Sequence, residues 1–415
     1  MTEHDIVIIG GGPAGMAAAI SAHDAGITDT VIIDREENLG GILRQCIHNG
    51  FGLHKFGREL TGPEYAALYR DEVFKRNIKV LTESTVTAVS DNKIITVQSR
   101  AGITKIKAKS IILAMGCRER NRGALNISGT RPSGIFPAGC AQKFINLMGY
   151  QVGKRAVILG SGDIGLIMAR RLTLEGAKVE AVCELLPYSG GLTRNIVQCL
   201  EDFDIPLYLS CTVAEIHGKD RLEGITIADV DENRQIKEET KRYIPCDTLL
   251  LSCGLIPENE LTKMAGVEIT PITNGAVVSE NRETSVPGIF ACGNVLHVHD
   301  LVDYVSDEAE LTGRASAEFV KGAQKKTCEI KTVPGKNIRY VLPHKIQKTD
   351  ENVDLFMRVV APSGKAKITV QSGDTLLATK TCQRALPGEM EKVTITSDVL
   401  KSAGKEIIVN LEERE

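Results

Sequence analysis

The amino-terminal segment contains apolar positions whose period changes along the chain. Residues 5–9 end in a continuous β-branched run, Ile-Val-Ile-Ile, as expected for a strand that is buried on both faces. A glycine-rich turn follows at 10–15, and small residues then continue through 16–22 as in a closely packed helix. A second apolar run, Val31-Ile-Ile, ends at Asp34. The pattern predicts a strand, a turn, a helix and a second strand, which is the order of a βαβ unit.

A second copy of this pattern begins at Ala156. Another apolar run enters a GxGxxG sequence at Gly160, and the following strand pattern ends at Glu184. The first glycine and the acid are 24 positions apart in both copies, from Gly10 to Asp34 and from Gly160 to Glu184. A single GxGxxG is weak evidence, but two copies with the strands, the helix and the acid in place predict two dinucleotide-binding folds.

Each position in these loops has a physical role. The first glycine makes the tight turn, the second lets the backbone approach a pyrophosphate, and the third lets the helix pack against the strand. The helix N-terminus then presents unpaired N–H groups and a positive dipole to the phosphates. Asp34 and Glu184 are placed to accept hydrogen bonds from a ribose diol, and an acid there repels a 2'-phosphate. Because residues 185–189 contain no arginine, the second unit is predicted to prefer NAD(H) to NADP(H).

Between and after these units the apolar pattern changes again. Short alternating runs at 84–89 and 93–97, followed by the run at 110–116, predict a β-meander inserted into the parallel α/β domain. Residues 305–320 have the period of a helix, with Asp303 as its candidate N-cap. From near Lys325 onward the segments are β-rich, and residues 331–415 are expected to form a small β-sandwich that serves assembly.

The composition excludes several classes of protein. Lys and Arg total 50 against 53 Asp and Glu in 415 residues, for a net charge of -3, so no basic face for nucleic acid is implied. The 11 cysteines include no CxxC pair, which suits a reducing cytoplasm. No stretch approaches the ~20 apolar residues that a membrane span requires. We therefore expect a cytoplasmic protein without membrane insertion.

The two glycine units together resemble those of the pyridine nucleotide-dependent flavoprotein reductases, in which the first binds FAD and the second binds NAD(P)H. A third sequence, Thr284-Ser-Val-Pro-Gly-Ile-Phe-Ala-Cys-Gly293-Asn294, resembles the family's strand with a Gly-Asp pair whose acid holds the ribityl chain of FAD. This chain has Asn294 in place of the aspartate. In the family, the helix that follows points its N-terminus at the pyrimidine end of the flavin.

The resemblance implies an α/β fold of two Rossmann-like dinucleotide-binding domains, the second inserted into the first, to which the apolar pattern adds the C-terminal β-sandwich-like domain. The FAD-binding domain is expected in two parts, at residues 1–120 and 251–325. The NAD(H)-binding domain is expected at 121–250, and the small β-rich domain at 331–415.

The resemblance also assigns candidate binding residues. For FAD they are Gly10, Gly12, Pro13, Ala14, Gly15, Asp34, Arg35, Gly41, Ile42, Val86, Ala114, Gly116, Gly293 and Asn294. For NAD(H) they are Gly160, Gly162, Asp163, Ile164, Gly165, Glu184 and Gly254.

The cysteines depart from the pattern of the family's disulfide reductases. Those enzymes carry a CxxxxC after the first unit or a CxxC before the second, whereas the corresponding segments here contain only Cys46 and only Cys140. A dithiol active site is therefore not expected. Cys46 remains a candidate catalytic residue for an alternative, single-cysteine NADH peroxidase or CoA-disulfide reductase. Cys292 with His297 and His299 lacks the spacing of a metal site, so no metal is expected.

Two further segments, 42–65 and 131–142, are similar to a particular branch of the family. That branch contains the FAD/NAD subunits of amine, opine and sarcosine oxidases and the reductase that accompanies an anaerobic FAD-dependent glycerol-3-phosphate dehydrogenase. It implies electron exchange among NAD(H), FAD and a partner redox flavoprotein of the glycerol-3-phosphate dehydrogenase type or a small acceptor, within a homodimer or hetero-oligomer. The rival hypothesis is a non-catalytic nucleotide-binding protein that serves assembly.

Overall fold

The computed structural model describes residues 1–323, 329–347 and 350–413. The chain forms two compact units. The first contains Met1–Arg44, Asn49–Cys117 and Pro257–Glu415, and the second contains Gln45–His48 and Arg118–Ile256. Cys328 and the domain boundary expected near Lys325 lie outside the described residues.

The elements follow one another in chain order. Those up to the first long crossing are β1 (Thr2–Ile9), α1 (Pro13–Asp24), β2 (Thr30–Ile33), β3 (Asn49–Phe51), α2 (Leu53–Phe56), β4 (Leu60–Thr61), α3 (Gly62–Lys75), β5 (Lys79–Leu81), β6 (Thr85–Val89), β7 (Ile94–Ser99), β8 (Gly102–Leu113) and β9 (Cys117–Glu119). Those of the second unit and the return crossing are α4 (Arg122–Leu125), β10 (Ser128–Gly129), β11 (Ile135–Pro137), α5 (Ala138–Asn146), β12 (Arg155–Leu159), α6 (Asp163–Leu174), β13 (Lys178–Cys183), α7 (Thr193–Cys199), β14 (Leu207–Tyr208), β15 (Cys211–Gly218), β16 (Leu222–Asp229), β17 (Arg242–Pro245), β18 (Thr248–Leu251) and β19 (Leu255–Pro257). The rest are α8 (Glu260–Met264), β20 (Ile289–Ala291), α9 (Val302–Val320), β21 (Glu329–Pro334), β22 (Ile338–Leu342), β23 (Lys345–Gln347), β24 (Val353–Val359), β25 (Ala366–Ser372), β26 (Thr375–Cys382), β27 (Glu391–Ile395), α10 (Ser397–Leu400) and β28 (Glu406–Glu413).

The first unit is built on a seven-stranded sheet in the order β5-β2-β1-β8-β7-β6, with β20 also paired to β8. Strands β5, β2, β1, β8 and β20 run parallel, whereas β6, β7 and β8 are joined antiparallel. The expected meander inserted into a parallel domain is therefore confirmed. The parallel strands bring their carboxyl ends to one edge, which is where ligands bind in open α/β sheets.

The second unit repeats the parallel arrangement. Its five-stranded sheet has the order β11-β18-β12-β13-β14, and a four-stranded sheet, β10-β15-β16-β17, accompanies it. Alternate residues of β12 enter different apolar clusters, since Ile158 packs with α6 and Val157 packs with residues of β15 and β16. The strand is therefore buried on both faces, as its continuous apolar run predicts.

The C-terminal strands form two more sheets. Their orders are β23-β21-β28-β25-β26 and β22-β24-β27, and residues from both sheets, including Ile368 and Leu355, share one apolar cluster. The two sheets with a shared core agree with the expected β-sandwich. Together with the parallel strands of both units and their helices, they confirm the predicted α/β fold class. The same strands also contribute Tyr340, Leu342 and Phe356 to an apolar cluster of the seven-stranded sheet. Within the first unit, the sandwich therefore packs against that sheet.

Helix α9 begins earlier than the sequence predicts. It starts at Val302, and its N-cap position is Leu301, so the expected N-cap at Asp303 is wrong. The Asp303 carboxylate instead accepts hydrogen bonds from the backbone N–H groups of Gly52 at 3.1 Å and His54 at 2.8 Å. A tertiary partner has replaced the local one, and no side chain caps the N-terminus of α9 by a hydrogen bond.

Among the described residues, the longest helices are too short or too polar to cross a membrane.

Candidate functional site

The first glycine loop is constrained by the backbone around it. Gly10 has φ +107°, and a Cβ there would lie 2.4 Å from the carbonyl oxygen of Ala114. A Cβ on Gly15 would lie 1.8 Å from the carbonyl oxygen of Gly10. Side chains at these two positions would collide with backbone, so both glycines are required for the turn and for the approach of α1 to β1.

Gly12 is a glycine of a different kind. It is the N-cap of α1, with φ -75°, a conformation open to any residue, and no side chain caps this helix end. The nearest described atom to a Cβ there would be Cα of Gly41, at 3.9 Å. The space in front of the first turn of α1 is therefore open, as the approach of a pyrophosphate requires.

The acid at the end of β2 is held by two backbone donors. Gly11 N donates to Asp34 Oδ2 at 2.5 Å, and Glu36 N donates to Asp34 Oδ1 at 2.7 Å. Ser84 N donates to the backbone oxygen of Asp34 at 3.0 Å, which brings the start of β6, with Val86, close to this acid. The carboxylate is fixed beside the glycine turn with lone pairs left for a ribose diol.

The second unit reproduces both backbone hydrogen bonds of this arrangement and adds one from the Ser161 hydroxyl to Glu184 Oε2 at 2.7 Å. Ser161 N donates to Glu184 Oε2 at 2.8 Å, and Leu186 N donates to Glu184 Oε1 at 2.9 Å. A Cβ on Gly160 would lie 2.1 Å from the backbone oxygen of Ser252, and one on Gly165 would lie 2.6 Å from that of Gly160. The repeat seen in the sequence is thus also a repeat of hydrogen bonds and close approaches.

Gly162 is the open glycine of this second loop, because the nearest described atom to a Cβ there would be Ser252 Oγ at 3.8 Å. Asp163 follows at the start of α6, and its Oδ1 accepts from Leu192 N at 2.8 Å and from Asn195 Nδ2 at 2.6 Å. Ile164 is half-buried beside it. The Asp163 carboxylate therefore fixes the segment around Leu192 next to the glycine turn.

Sequence reasoning missed the full length of this repeat. Gly40 and Gly41 follow Asp34 by six and seven positions, and Gly190 and Gly191 follow Glu184 by the same intervals. Both pairs lie against the glycine turns: Gly40 N donates to Gly11 O at 2.8 Å, and Gly190 N donates to Ser161 Oγ at 3.1 Å. Gly41 is already a candidate FAD residue, and the constant offset of 150 positions between the copies is the signal that could have added Gly40, Gly190 and Gly191.

The third predicted sequence meets the first loop. Gly293 has φ +74°, and a Cβ there would lie 2.9 Å from the Cβ of Ala14. Asn294 Oδ1 accepts from His299 N at 3.0 Å, and its Nδ2 donates to Cys117 Sγ at 3.7 Å. The structure therefore brings the Gly293-Asn294 pair to the N-terminal end of α1.

For the other candidate residues the structure gives exposure and backbone conformation. Arg35 and Ile42 are exposed, and Pro13 occupies the first turn of α1. Gly116 has φ +73° and Gly254 has φ +95°, so each ends its strand-end motif in a conformation that favours glycine.

A buried carboxylate lies behind Gly293. Glu308 Oε2 accepts from Gly293 N at 2.8 Å and from His299 Nε2 at 3.1 Å, while its Oε1 accepts from Arg282 Nε at 2.8 Å and from His297 Nε2 at 3.2 Å. Burial alone would raise the pKa of Glu308, but the charge of Arg282 and the interactions with the two imidazoles hold it well below its usual value. We call these residues, Arg282, His297, His299 and Glu308, the Glu308 network; the sequence carries no local sign of it.

The ligand atoms of His297, His299 and Glu308 lie within 4.8 Å of one another, as in a metal site. The carboxylate, however, has about four lone-pair positions, and four donors already occupy them. The buried guanidinium of Arg282 also neutralises the carboxylate and opposes a divalent cation in the same space. We interpret the group as a hydrogen-bond network, and the absence of a metal stays a prediction.

The candidate cysteine, Cys46, is half-buried in the second unit. Gln45 Nε2 donates to Gly139 O at 2.7 Å, and Cys46 Sγ lies 3.8 Å from Gln142 Oε1. Burial raises the pKa of the Cys46 thiol to about 12. Cys140 is exposed, and burial together with the Glu119 carboxylate raises its pKa as well. Both shifts disfavour the thiolate, which is the reactive form of a cysteine.

One pair of cysteines lies close together within the described part of the second unit. Cys183, at the end of β13, and Cys211, at the start of β15, are near enough for each thiol to shift the pKa of the other, and both are 0% exposed. Sequence spacing offered no indication of this pair. Complete burial separates it from any bulky substrate.

Comparison with known proteins gives one family model, described as pyridine nucleotide-disulphide oxidoreductase, which matches residues 4–318. The mitochondrial dihydrolipoyl dehydrogenase of Caenorhabditis elegans is 26% identical over 348 residues, covering 74% of this chain and 66% of that protein. A protein of Agrobacterium tumefaciens that is one of the subunits of its opine oxidase is 23% identical over 341 residues, covering 76% and 64%. The chain thus spans slightly less than two thirds of the length of these relatives. Among solved structures, thioredoxin reductase of T. acidophilum has a TM-score of 0.63 at 23% identity, covering 77% of this chain and 99% of that one, which shows a common fold.

Proposed function

Because the chain belongs to the pyridine nucleotide-disulphide oxidoreductase family, a class of enzymes that bind FAD and NAD(P)H, we propose that it transfers hydride between NAD(H) and FAD. The observation that carries this proposal is the duplicated site: two glycine turns, each hydrogen-bonded in the same way to an acid at the end of the next strand. Two nucleotide sites on one chain suit a reaction in which one nucleotide reduces the other.

We assign FAD to the first unit. Gly12 leaves the N-terminal end of α1 open, Asp34 offers acceptors for a ribose, and the Gly293-Asn294 pair lies against Ala14 of the same loop. These three features fit the pyrophosphate, the adenosine ribose and the ribityl chain of one dinucleotide. The Asn294 amide can both donate to and accept from a ribityl hydroxyl, so the exchange of Asp for Asn is compatible with binding.

We assign NAD(H) to the second unit. The Glu184 carboxylate is fixed by Ser161 and Leu186 and offers its remaining lone pairs to the adenosine ribose diol. Its negative charge opposes the 2'-phosphate of NADP(H), and residues 185–189 contain no arginine to accept that phosphate. This arrangement supports a preference for NAD(H).

Bound FAD supplies the redox chemistry, namely hydride acceptance and electron storage. The chain supplies position and electrostatics. The uncapped N-terminus of α9 follows Asn294 by eight residues, and its unpaired N–H groups and positive dipole favour negative charge nearby. Asp303 holds this end of the helix through Gly52 and His54.

The proposal includes no dithiol. Cys46 and Cys140 are single cysteines in the two segments where the disulfide reductases have pairs, and their thiol pKa values are raised. The Cys183–Cys211 pair is completely buried. Electrons are therefore proposed to leave through the flavin to another acceptor. The alternative is a thiol-based reductase in which Cys46 reacts.

The proposed acceptor is a partner redox protein in the cytoplasm, or a small molecule. One relative is by name part of a multi-subunit opine oxidase, which supports assembly with another redox protein. The resemblance of residues 42–65 and 131–142 extends the proposal to a flavoprotein of the glycerol-3-phosphate dehydrogenase type as that partner.

The test is direct. The purified chain is expected to be yellow, with about one noncovalent FAD per chain, and anaerobic NADH should bleach it. A yellow protein that NADH does not reduce would favour the non-catalytic alternative. A protein that neither retains nor binds added FAD would contradict the proposal itself.

A further inference from the structure

Arg358, in the C-terminal sheets, binds the loop that follows Asn294. Arg358 lies on β24, its side chain is 13% exposed, and its Nη2 donates to Val298 O at 2.9 Å. The same guanidinium forms an ion pair with the Asp300 carboxylate, which also accepts from Met390 N at 2.5 Å. These bonds fix the peptide on both sides of His299.

His299 passes this constraint to the proposed flavin site. Its backbone N–H donates to Asn294 Oδ1 at 3.0 Å and so determines which way the carboxamide faces. Its ring donates to Glu308 Oε2, which also accepts the N–H of Gly293. His299 therefore orients Asn294, and Glu308, which His299 contacts, orients Gly293.

Phe356 of the same strand covers the Glu308 network. Its ring centroid lies 5.7 Å from Cζ of Arg282, 6.0 Å from the ring of His297 and 6.4 Å from that of His299. The Phe356 side chain is 8% exposed. By excluding water it keeps the charge-assisted hydrogen bonds of the network in a low dielectric, where they are strong.

From this geometry we infer that Arg358 is a positioning residue of the FAD site, acting through Asp300 and His299 on Asn294. The inference rests on the proposed binding of FAD by the first unit. It gives the C-terminal sheets a part in flavin binding, in addition to the assembly role expected from the sequence.

A set of full-length variants tests it. Arg358→Met keeps the apolar stem and removes the charge and the donors, Arg358→Lys restores a charge and a donor, and Arg339→Met is the matched control, because Arg339 is exposed on the paired strand β22. The FAD dissociation constant is measured by equilibrium dialysis and the visible absorption and circular dichroism of bound flavin are recorded. All measurements are made at a temperature where far-ultraviolet circular dichroism shows each variant to be folded.

Arg358→Met is expected to raise the FAD dissociation constant about tenfold or more, equivalent to ~1.4 kcal/mol, and to alter the visible circular dichroism. Arg358→Lys should recover most of the affinity, and Arg339→Met should match the unmodified chain. An arginine that only stabilises the fold would lower the melting temperature but leave the dissociation constant of the folded variant unchanged. That result would overturn the inference.

If Arg358→Met does not fold, the double variant Arg358→Met with Asp300→Asn takes its place. It removes both charges of the ion pair and so leaves no unpaired buried charge. Unchanged FAD affinity in the double variant would equally overturn the inference. Failure of the unmodified chain to bind FAD would instead contradict the proposed function, and the inference with it. These outcomes are distinguishable because only the last concerns the unmodified chain.

Discussion

At the scale of single residues, the glycines of the two loops separate into structural and ligand-facing positions. Gly10 and Gly15 are required because a Cβ would meet backbone at 2.4 and 1.8 Å. Gly12 has an ordinary φ of -75° and open space in front of it. The same loop therefore contains positions that serve folding and a position that serves binding.

This distinction gives the first prediction. Gly12→Val should fold with near-normal stability and lose FAD binding, because its side chain fills the proposed pyrophosphate space. Gly15→Ala should lower the free energy of unfolding by about 1–3 kcal/mol, the usual range for overpacking, because its Cβ meets the Gly10 oxygen. Urea unfolding and FAD titration of both variants check this, and a Gly12→Val protein that binds FAD normally would refute the assignment of the site.

Glu184 provides the second prediction. NADH should bleach the flavin faster than NADPH in the unmodified protein, and Glu184→Gln, which removes the charge but keeps the shape, should narrow that preference. Stopped-flow reduction with both nucleotides measures it. Glu180→Gln is the control, since that carboxylate lies on β13, the strand that leads to Glu184, but pairs with Arg155. Equal rates for both nucleotides before any substitution would count against NAD(H) as the specific donor.

Cys46 provides the third prediction. Because burial raises its thiol pKa to about 12, Cys46 stays protonated at neutral pH, and Cys46→Ser should keep NADH-dependent flavin reduction and dye reduction within about twofold of the unmodified rate. Cys140→Ser is measured beside it. Loss of turnover with FAD still bound would transfer the assignment to single-cysteine chemistry at Cys46.

At the scale of elements, strands of the C-terminal sheets are tied to the segment that leads into β20. His344 N donates to Val278 O at 3.0 Å, and Val278 N donates to His344 Nδ1 at 3.2 Å. The second bond requires a neutral imidazole, because Nδ1 accepts. Burial first, and then the nearby charges of Arg282 and Lys345, lower the pKa of His344 to about 4.

A pH dependence of stability follows as the fourth prediction. Between pH 6.5 and about 4 the unfolded chain binds a proton at this histidine that the folded chain does not, so stability falls as the pH is lowered. The loss from His344 should be about 2 kcal/mol between pH 7 and pH 5. Urea unfolding should show a shallower pH dependence of stability for His344→Gln than for the unmodified protein. Equal slopes in the two proteins would contradict this prediction.

At the scale of the whole molecule, the C-terminal sheets form their own apolar core and also contribute residues to the core of the seven-stranded sheet. Tyr340, Leu342 and Phe356 belong to the apolar cluster of the seven-stranded sheet, which also contains Val278 and Leu296. Their removal would expose that cluster to water at a cost of ~25 cal/mol for each Å² of apolar surface. A sandwich at 331–415 that serves only assembly, as the sequence predicts, could be cut away after about Lys331 and leave a folded, yellow protein.

The packing leads to the opposite expectation, which is the fifth prediction. A chain ending at Ala323 should be less soluble, melt at a lower temperature and retain little FAD, because the loop carrying Asn294 loses Arg358 and the Glu308 network loses Phe356. Solubility, thermal unfolding and bound flavin are compared with the full chain. A soluble truncated protein that NADH still reduces would restore a purely assembly role for the sheets.

The sequence by itself determined the α/β fold class, the two glycine loops and their acids, and the meander between them. It could do so because close backbone approaches and positive φ angles require glycine at fixed positions, such as Gly10 and Gly160, and strands buried on both faces require continuous apolar runs. These constraints act over a few residues and are therefore visible in the chain.

Only the tertiary structure decided the partners of the polar residues. Asp303 fits the local rule for an N-cap, yet its carboxylate bonds the backbone of His54, 249 positions away. Glu308 and Arg358 carry no local pattern, because their partners come from other elements of the first unit. A buried charge must find enough donors or an opposite charge to offset its lost hydration, and it takes whichever groups the fold brings within reach.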